Sequence, residues 1–173
     1  DGYNVAVGFE AGLTMTTGLY NVLLGAAAGD AITTAEKNIA IGYGALGSED
    51  THGRNVAIGD SALTTLNAGA YGFNVAVGHE AGTAMTTGLN NVLIGSQAGD
   101  ALTTGSGNVA IGHEALSAED AHGRNVAIGY LTLQSQNAGA LAYNVAVGYS
   151  AGIAVTTGVR NTLIGGLSGD AIT

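Results

Sequence analysis

Ten copies of a short motif, an asparagine followed by three mostly aliphatic residues and a glycine, run through the 173-residue chain. Their asparagines are Asn4, Asn21, Asn38, Asn55, Asn74, Asn91, Asn108, Asn125, Asn144 and Asn161. The spacing of Asn4 and Asn21 is kept throughout, except that the fourth and eighth steps are slightly longer, so a second period of four repeats is superimposed. Repeats of this length are typical of solenoids. We therefore expect residues 1–173 to form a single solenoid repeat domain, a fragment of a longer array.

Within each repeat, numbered from its asparagine as position 1, the residue pattern predicts a strand. Positions 2 and 4 are Val, Ile or Leu apart from Thr162, and residues two apart on a strand share a face. We expect that face to point into a core, with the small position 8 and the mostly apolar position 12 closing the coil from the other side. The glycine at position 5 predicts a positive φ or a close backbone approach. The sequence thus predicts an all-β fold, a parallel β-solenoid of about ten coils of 17–19 residues.

Position 3 lies on the opposite strand face from positions 2 and 4, and it is never polar. Solvated strand faces normally carry polar side chains, so an uninterrupted apolar row predicts a cover, most simply a second copy of the chain. The three leucines in this row recur with the four-repeat period and are expected to fix the register between chains. The predicted oligomer interface is Ala6, Leu23, Ala40, Ala57, Ala76, Leu93, Ala110, Ala127, Ala146 and Leu163.

Composition excludes several classes of function. The net charge is −9, from 13 acidic residues against 4 Lys and Arg, so no phosphate-tracking surface and no nucleic-acid partner are expected. Cysteine is absent, and no apolar run approaches the ~20 residues of a spanning helix, so membrane insertion is not expected. No catalytic triad, phosphate-binding loop or dinucleotide motif is present. The chain is predicted to be no enzyme and to need no cofactor.

One polar cluster has the composition of a metal site. The segment from Glu49 to Arg54 contains an Asp and a His, and it recurs four repeats later from Glu119 to Arg124. Carboxylate and imidazole groups on one turn are possible ligands for a divalent metal. A solvated, salt-bridged turn is the commoner outcome for such a cluster, and we expect that here, with no metal site. The asparagines at position 1 are expected to form a hydrogen-bonded ladder with a structural role.

The aromatic residues avoid the predicted core positions and lie mostly either just after the glycine or just before an asparagine. This placement predicts that they line the edges of the coils, where exposed rings suit contacts with sugars or proteins, although packing over the corners is at least as common. The two longer repeats are expected to bulge near Leu66–Phe73 and Gln136–Tyr143. The candidate ligand-binding residues are Tyr43, Tyr71, Phe73, Tyr130, Tyr143 and Tyr149.

The motif Asn-Val-Ala-Ile-Gly-x-x-Ala-Leu, with variants at 38–46, 55–63 and 108–116, resembles the heads of YadA-like trimeric autotransporter adhesins. It is also similar to the 17-residue repeats, ending in Thr-Thr-Gly, of related surface and phage tail-fibre proteins. The resemblance covers essentially the whole chain. It implies a left-handed parallel β-roll packed as a homotrimer, with the middle strand residue facing the trimer axis.

The resulting functional hypothesis is a non-enzymatic, trimeric surface fibre or adhesin head segment, outside the cell, on a cell surface or on a virion. Its expected partners are further copies of itself and a host surface protein or glycan, because several weak sites on one rod raise avidity. Two alternatives stay open. One is an ice-binding β-solenoid, which would require a flat and unbroken threonine array. The other is a purely structural extracellular filament without a ligand.

Overall fold

The computed structural model describes residues 2–173, in which ten three-residue strands form one parallel sheet in chain order. Each strand pairs with the next at equivalent repeat positions, as Ala6 with Leu23, so the connecting segments wind a solenoid of about nine turns. The predicted all-β parallel β-solenoid is therefore confirmed. Within residues 2–173 no helix is long and apolar enough to cross a membrane. The strands are β1 (Val5–Val7), β2 (Val22–Leu24), β3 (Ile39–Ile41), β4 (Val56–Ile58), β5 (Val75–Val77), β6 (Val92–Ile94), β7 (Val109–Ile111), β8 (Val126–Ile128), β9 (Val145–Val147) and β10 (Thr162–Ile164).

The strands are short because a glycine ends each of them. Gly25 has a φ of 134°, and a Cβ on it would lie 2.6 Å from the carbonyl oxygen of Gly42 in the next coil. This confirms both expectations for position 5, the positive φ and the close backbone approach. Left-handed backbone conformations, with positive φ, also occur at position 7, at position 9 and just before the asparagines, as at Ala27, Leu46 and Lys37. Several such corners per repeat give a thin coil with little interior space.

The two faces of the strands are reversed relative to the sequence prediction. Position 3 points into the interior of its own coil, and positions 2 and 4 point outward, so each central strand is buried only at its middle residue. Of the predicted interface residues, Ala6 in the first coil is exposed. The other nine are buried within their own chain, and they are Leu23, Ala40, Ala57, Ala76, Leu93, Ala110, Ala127, Ala146 and Leu163.

The physical reason for this reversal is the thinness of the coil. Strand alternation separates position 3 from positions 2 and 4, but it does not say which side is enclosed. The large residues at positions 9 and 12 share this narrow interior, so the strand has room there for an alanine or a single leucine, whereas two β-branched side chains per strand fit only outside. A side chain that fills its own coil is not available to a second chain. The prediction that the row at position 3 is an oligomer interface is therefore wrong for these nine residues.

The opposite wall of the core comes from positions 8, 9 and 12, as expected for positions 8 and 12. Ala28 and Ile32 are fully buried in the second coil, and Ala81 and Met85 in the fifth. Position 9 is Gly where position 3 is Leu, and it is Leu in four coils where position 3 is Ala. In these seven coils positions 3 and 9 together supply one leucine, from one wall or the other, and position 12 adds a further side chain.

The predicted asparagine ladder is present and runs along the solenoid. Each asparagine side-chain oxygen accepts a hydrogen bond from the backbone N–H of the next asparagine, as Asn91 Oδ1 does from Asn108 at 2.9 Å. The Asn91 side-chain amide also donates to the carbonyl oxygen of Gly105 at 2.9 Å. From Asn21 to Asn144 the asparagines of the ladder are buried. Their role in the chain is structural, because they satisfy backbone groups that water does not reach.

Candidate functional site

The outer side of the sheet forms a long apolar surface on the solenoid. We call positions 2 and 4 of the ten strands the strand face. It is aliphatic at every position except Thr162, and the exposed fractions of Ile39 and Ile94 are both 37% even in the middle of the rod. At ~4.8 Å per strand the face is about 45 Å long and covers roughly 400–500 Å². A contiguous apolar patch of this size is comparable to the largest patch on a typical monomer, and such patches are often interaction surfaces.

Along one border of the strand face lies the leading row, defined as the residue just before each asparagine. The row carries aromatic and cationic side chains, and all four Lys and Arg of the chain lie in it. Tyr3 and Tyr20 stack with ring centroids 5.5 Å apart, and Lys37 Nζ lies 6.0 Å from the Tyr20 ring centroid. The leading row is Tyr3, Tyr20, Lys37, Arg54, Phe73, Asn90, Gly107, Arg124, Tyr143 and Arg160.

Along the other border lies the trailing row, defined as the residue just after each glycine at position 5. It carries aromatic, histidine and acidic side chains and no Lys or Arg. His113, Tyr130 and Tyr149 form a continuous stack, with centroid separations of 5.3 Å and 5.6 Å. The trailing row is Phe9, Ala26, Tyr43, Asp60, His79, Ser96, His113, Tyr130, Tyr149 and Gly166.

The structure places the six candidate ligand-binding aromatics on the surface, as the sequence predicts, and binding by them stays a prediction. Five of them lie in the leading and trailing rows, and Tyr71 lies in the exposed stretch 69–71 of the first long coil. That coil holds a small cluster, in which the Arg54 guanidinium lies 4.0 Å from the Tyr71 ring centroid and 5.5 Å from that of Phe73. In the second long coil, Arg124 donates to the Tyr143 hydroxyl at 2.8 Å. The exposed fractions are Tyr43 64%, Tyr71 44%, Phe73 50%, Tyr130 46%, Tyr143 42% and Tyr149 59%.

A shallow depression of about 250 Å³ lies beside Tyr43 on coils two to four. Its lining combines the aromatic ring with the Asp30 carboxylate and the hydroxyl-bearing residues Ser48, Ser61 and Thr64. The Thr64 hydroxyl donates to the carbonyl oxygen of Gly44 at 2.6 Å, which fixes its orientation. A flat ring next to hydroxyl and carboxylate groups is suited to a sugar, whose faces are apolar and whose edges carry hydroxyls.

The acidic turns differ from the solvated, salt-bridged turns that the sequence predicts. Glu49 and Glu119 both occupy the inner position 12 and are fully buried, because their coils turn this position toward the core. Burial raises the pKa of Glu49 to about 7, against the opposing effect of hydrogen bonds from the backbone N–H groups of Ala68 and His52. Burial likewise raises the pKa of Glu119. Sequence reasoning missed these glutamates as interior groups, although the repeat register places them at the same position as core residues such as Leu66.

In coil seven this turn brings three metal-ligating groups together. Ligand atoms of Glu119, Asp120 and His122 all lie within 4.8 Å of one another. Glu119 Oε1 accepts a hydrogen bond from the backbone N–H of His122 at 3.1 Å and lies 3.7 Å from His122 Nδ1. The sequence predicts that these residues lie close together, but it does not show that the glutamate approaches the imidazole from inside the coil.

Threonines after position 12 use their hydroxyls within the solenoid. The Thr16 hydroxyl donates a hydrogen bond to the backbone carbonyl oxygen of Thr33 in the next coil, and the Thr33 hydroxyl donates to that of Asp50, both at 3.0 Å. The Thr103 hydroxyl donates to the backbone carbonyl oxygen of Asp120 at 2.8 Å. These bonds link neighbouring coils along the axis. They give the regular threonines a structural role that the sequence alone does not reveal.

The site therefore consists of an apolar strand face, two bordering rows of unlike chemistry, one sugar-sized depression and one cluster of metal-ligating groups. Compared with protein-family models, with curated proteins and with solved structures, the chain shows no significant match.

Proposed function

We propose that the chain is a segment of a non-enzymatic, homotrimeric surface fibre or adhesin head, a rigid rod that presents edge residues to a host receptor or glycan outside the cell or on a virion. The observation that carries the proposal is the exposed strand face. Its aliphatic rows extend along all ten strands, and burying apolar surface of this extent is the dominant favourable term in association. The partner that fits a repetitive face best is another copy with the same repeat.

The chemistry of the two bordering rows supports a cyclic arrangement of copies around an axis parallel to the solenoid. In that arrangement the leading row of one chain meets the trailing row of the next at the same level. Each leading-row residue then faces the trailing-row residue of the neighbouring chain whose number is higher by six. Six of the ten levels then join attractive partners. These pairs are Tyr3 with Phe9, Lys37 with Tyr43, Arg54 with Asp60, Phe73 with His79, Arg124 with Tyr130, and Tyr143 with Tyr149.

The number three and the left-handed winding come from the resemblance to YadA-like heads and tail-fibre repeats. Around a three-fold axis the strand faces pack at the centre and the bordering rows meet at three seams. The depression beside Tyr43 includes a residue of the trailing row, so it lies next to a seam and is repeated three times on the rod. Three equivalent weak sites suit attachment through avidity.

The receptor part of the proposal can be tested with a glycan array and with purified wild-type protein. We expect binding to a defined set of glycans that Asp30→Ala weakens at least tenfold, because Asp30 lines the depression but lies outside the two rows that meet at the seams. Leu141→Ala, an exposed apolar substitution far from the depression, serves as the control and is expected to bind normally. Absence of glycan binding, or equal loss in both variants, would contradict a glycan receptor site beside Tyr43.

A further inference from the structure

We propose that Glu119, Asp120 and His122 form a binding site for a borderline divalent cation of the zinc type. The proposal is independent of the fibre function. The three side chains supply one imidazole nitrogen and two carboxylates, whose ligand atoms lie within 4.8 Å of one another. This mixture of nitrogen and oxygen donors suits Zn²⁺, and three protein ligands leave the fourth position of a tetrahedral site for water.

Two unpartnered atoms mark the cluster as incomplete without a ligand. Glu119 is fully buried, yet its Oε2 has no hydrogen-bond partner. His122 Nδ1 is also buried and without a hydrogen bond, and it lies 3.7 Å from Glu119 Oε1. Leaving buried polar atoms unpaired is costly, and one cation between the carboxylate and the imidazole would satisfy both groups.

The cluster is open to solvent on one side, so an ion can reach it. Asp120 is exposed, and the His122 side chain is 29% exposed, whereas Glu119 supplies a ligand from the interior. The hydrogen bond from the backbone N–H of His122 to Glu119 Oε1, at 3.1 Å, holds the buried carboxylate beside the partly exposed imidazole. A buried ligand held by the main chain is part of a rigid coil, which favours a defined coordination geometry.

The equivalent turn in coil three shows what removes such a site. Its hydroxyl residue Thr51, which stands where coil seven has Ala121, donates to Asp50 Oδ1 at 3.0 Å and lies 3.0 Å from His52 Nδ1. The two oxygens of Glu49 both accept backbone hydrogen bonds, from His52 at 3.1 Å and from Ala68 at 3.4 Å. In coil three both Glu49 oxygens and His52 Nδ1 thus have partners within the chain, whereas in coil seven Glu119 Oε2 and His122 Nδ1 have none.

The test is isothermal titration of the full chain with Zn²⁺ at neutral pH, together with the visible spectrum of bound Co²⁺. Wild-type protein is expected to bind one Zn²⁺ per chain at this site. His122→Ala and Ala121→Thr are expected to weaken that binding at least tenfold, whereas His52→Ala leaves it unchanged. Both 121 and 122 lie at the surface of the turn, and circular dichroism of each variant checks that the solenoid is intact.

Three outcomes of the titration would overturn the proposal. The first is that the wild-type chain binds no Zn²⁺. The second is that His122→Ala binds Zn²⁺ as tightly as the wild type, and the third is that His52→Ala weakens Zn²⁺ binding as much as His122→Ala does. The last two results would place the ion elsewhere, for example near the exposed His79. A Co²⁺ spectrum typical of octahedral water coordination would likewise contradict a site with three protein ligands.

Discussion

Leu23 fills the space that Gly29 leaves open on the opposite wall of the same coil. A Cβ on Gly29 would lie 2.8 Å from Leu23 Cδ2, closer than the core tolerates. In coil three the arrangement is inverted, with Ala40 on the strand and Leu46 at the position of Gly29. Where both positions are small, as at Gly82, leucines of the neighbouring coils fill the gap, namely Leu93 and Leu63. The four-repeat period of the sequence is therefore a packing period of the core.

This relationship predicts strong coupling between positions 23 and 29. Leu23→Ala should cost about 2–4 kcal/mol through a cavity, and Gly29→Leu should destabilise by overpacking. The double variant, which keeps Ile32, resembles coil four, where Ala57, Leu63 and Leu66 occupy these positions and Leu63 has a φ of 51°, close to the 57° of Gly29. It should recover at least ~1 kcal/mol relative to the sum of the two single changes. Urea unfolding of the four proteins measures the coupling. Strict additivity would mean that the two walls pack independently.

The asparagine ladder predicts a large cost for removing one of its inner members. Asn91→Ala leaves the backbone N–H of Asn108 and the carbonyl of Gly105 without their partners inside the solenoid, and we expect a loss of about 2–4 kcal/mol. Asn67→Ala is the matched control, because Asn67 is exposed. Thermal unfolding followed by circular dichroism compares the two. Similar melting temperatures for the two variants would show that the ladder contributes little.

The buried glutamate in coil three predicts a stability that falls as pH rises. The pKa of Glu49 is raised by burial to about 7, so the folded state holds a proton that the unfolded chain releases near 4.5. Its stabilising contribution is complete below about pH 4.5 and is lost as pH rises to about 7. Glu49→Gln should therefore reduce the decline in unfolding free energy between pH 5 and 8, by about 2–3 kcal/mol at most.

The measurement for this glutamate is urea unfolding at several pH values, with Glu10→Gln as the control because Glu10 is exposed. Glu119 is buried in the same way, so the wild-type decline contains contributions from both carboxyls. A variant Glu49→Gln with the full wild-type decline would place Glu49 in water in solution.

The two bordering rows predict that a charge exchange restores association. In the proposed cyclic arrangement Arg54 of one chain faces Asp60 of the next. Arg54→Asp should weaken association, by roughly 0.5–1 kcal/mol at each seam, and adding Asp60→Arg should restore it. Sedimentation of the single and double variants at low salt checks this. If the double variant associates no better than Arg54→Asp alone, the rows do not meet level by level.

Much of the fold follows from the sequence because the repeat is so regular. The asparagine and glycine positions predict the ten strands, and their regular spacing predicts the parallel stacking that the structure has. Which side of each strand points into the core cannot be predicted in this way, because alternation separates position 3 from positions 2 and 4 without saying which set is buried. We expected Val56 and Ile58 inside and Ala57 outside, and the structure has the opposite because the coil interior is narrow.

The candidate site shows a similar division. Exposure of residues such as Tyr43 and Tyr149 is predictable from their place outside the repeating core positions. Burial of Glu119 is not, because an acidic residue in an acidic turn normally remains in water, and only the register of position 12 turns it inward. The pairing of leading and trailing rows emerges only when the strand face between them is known to point outward.

Whether copies of the chain cover the strand face is decided by sedimentation equilibrium of the purified protein. We predict a wild-type mass of three times the 16.9 kDa of one chain. Replacing Val92 and Ile94 with Asp should give folded single chains, whereas Asp at the exposed Thr17 and Thr87 should leave the trimer intact. A wild-type protein that sediments at 16.9 kDa, with its valine and isoleucine rows in water, would show that no copy covers this face.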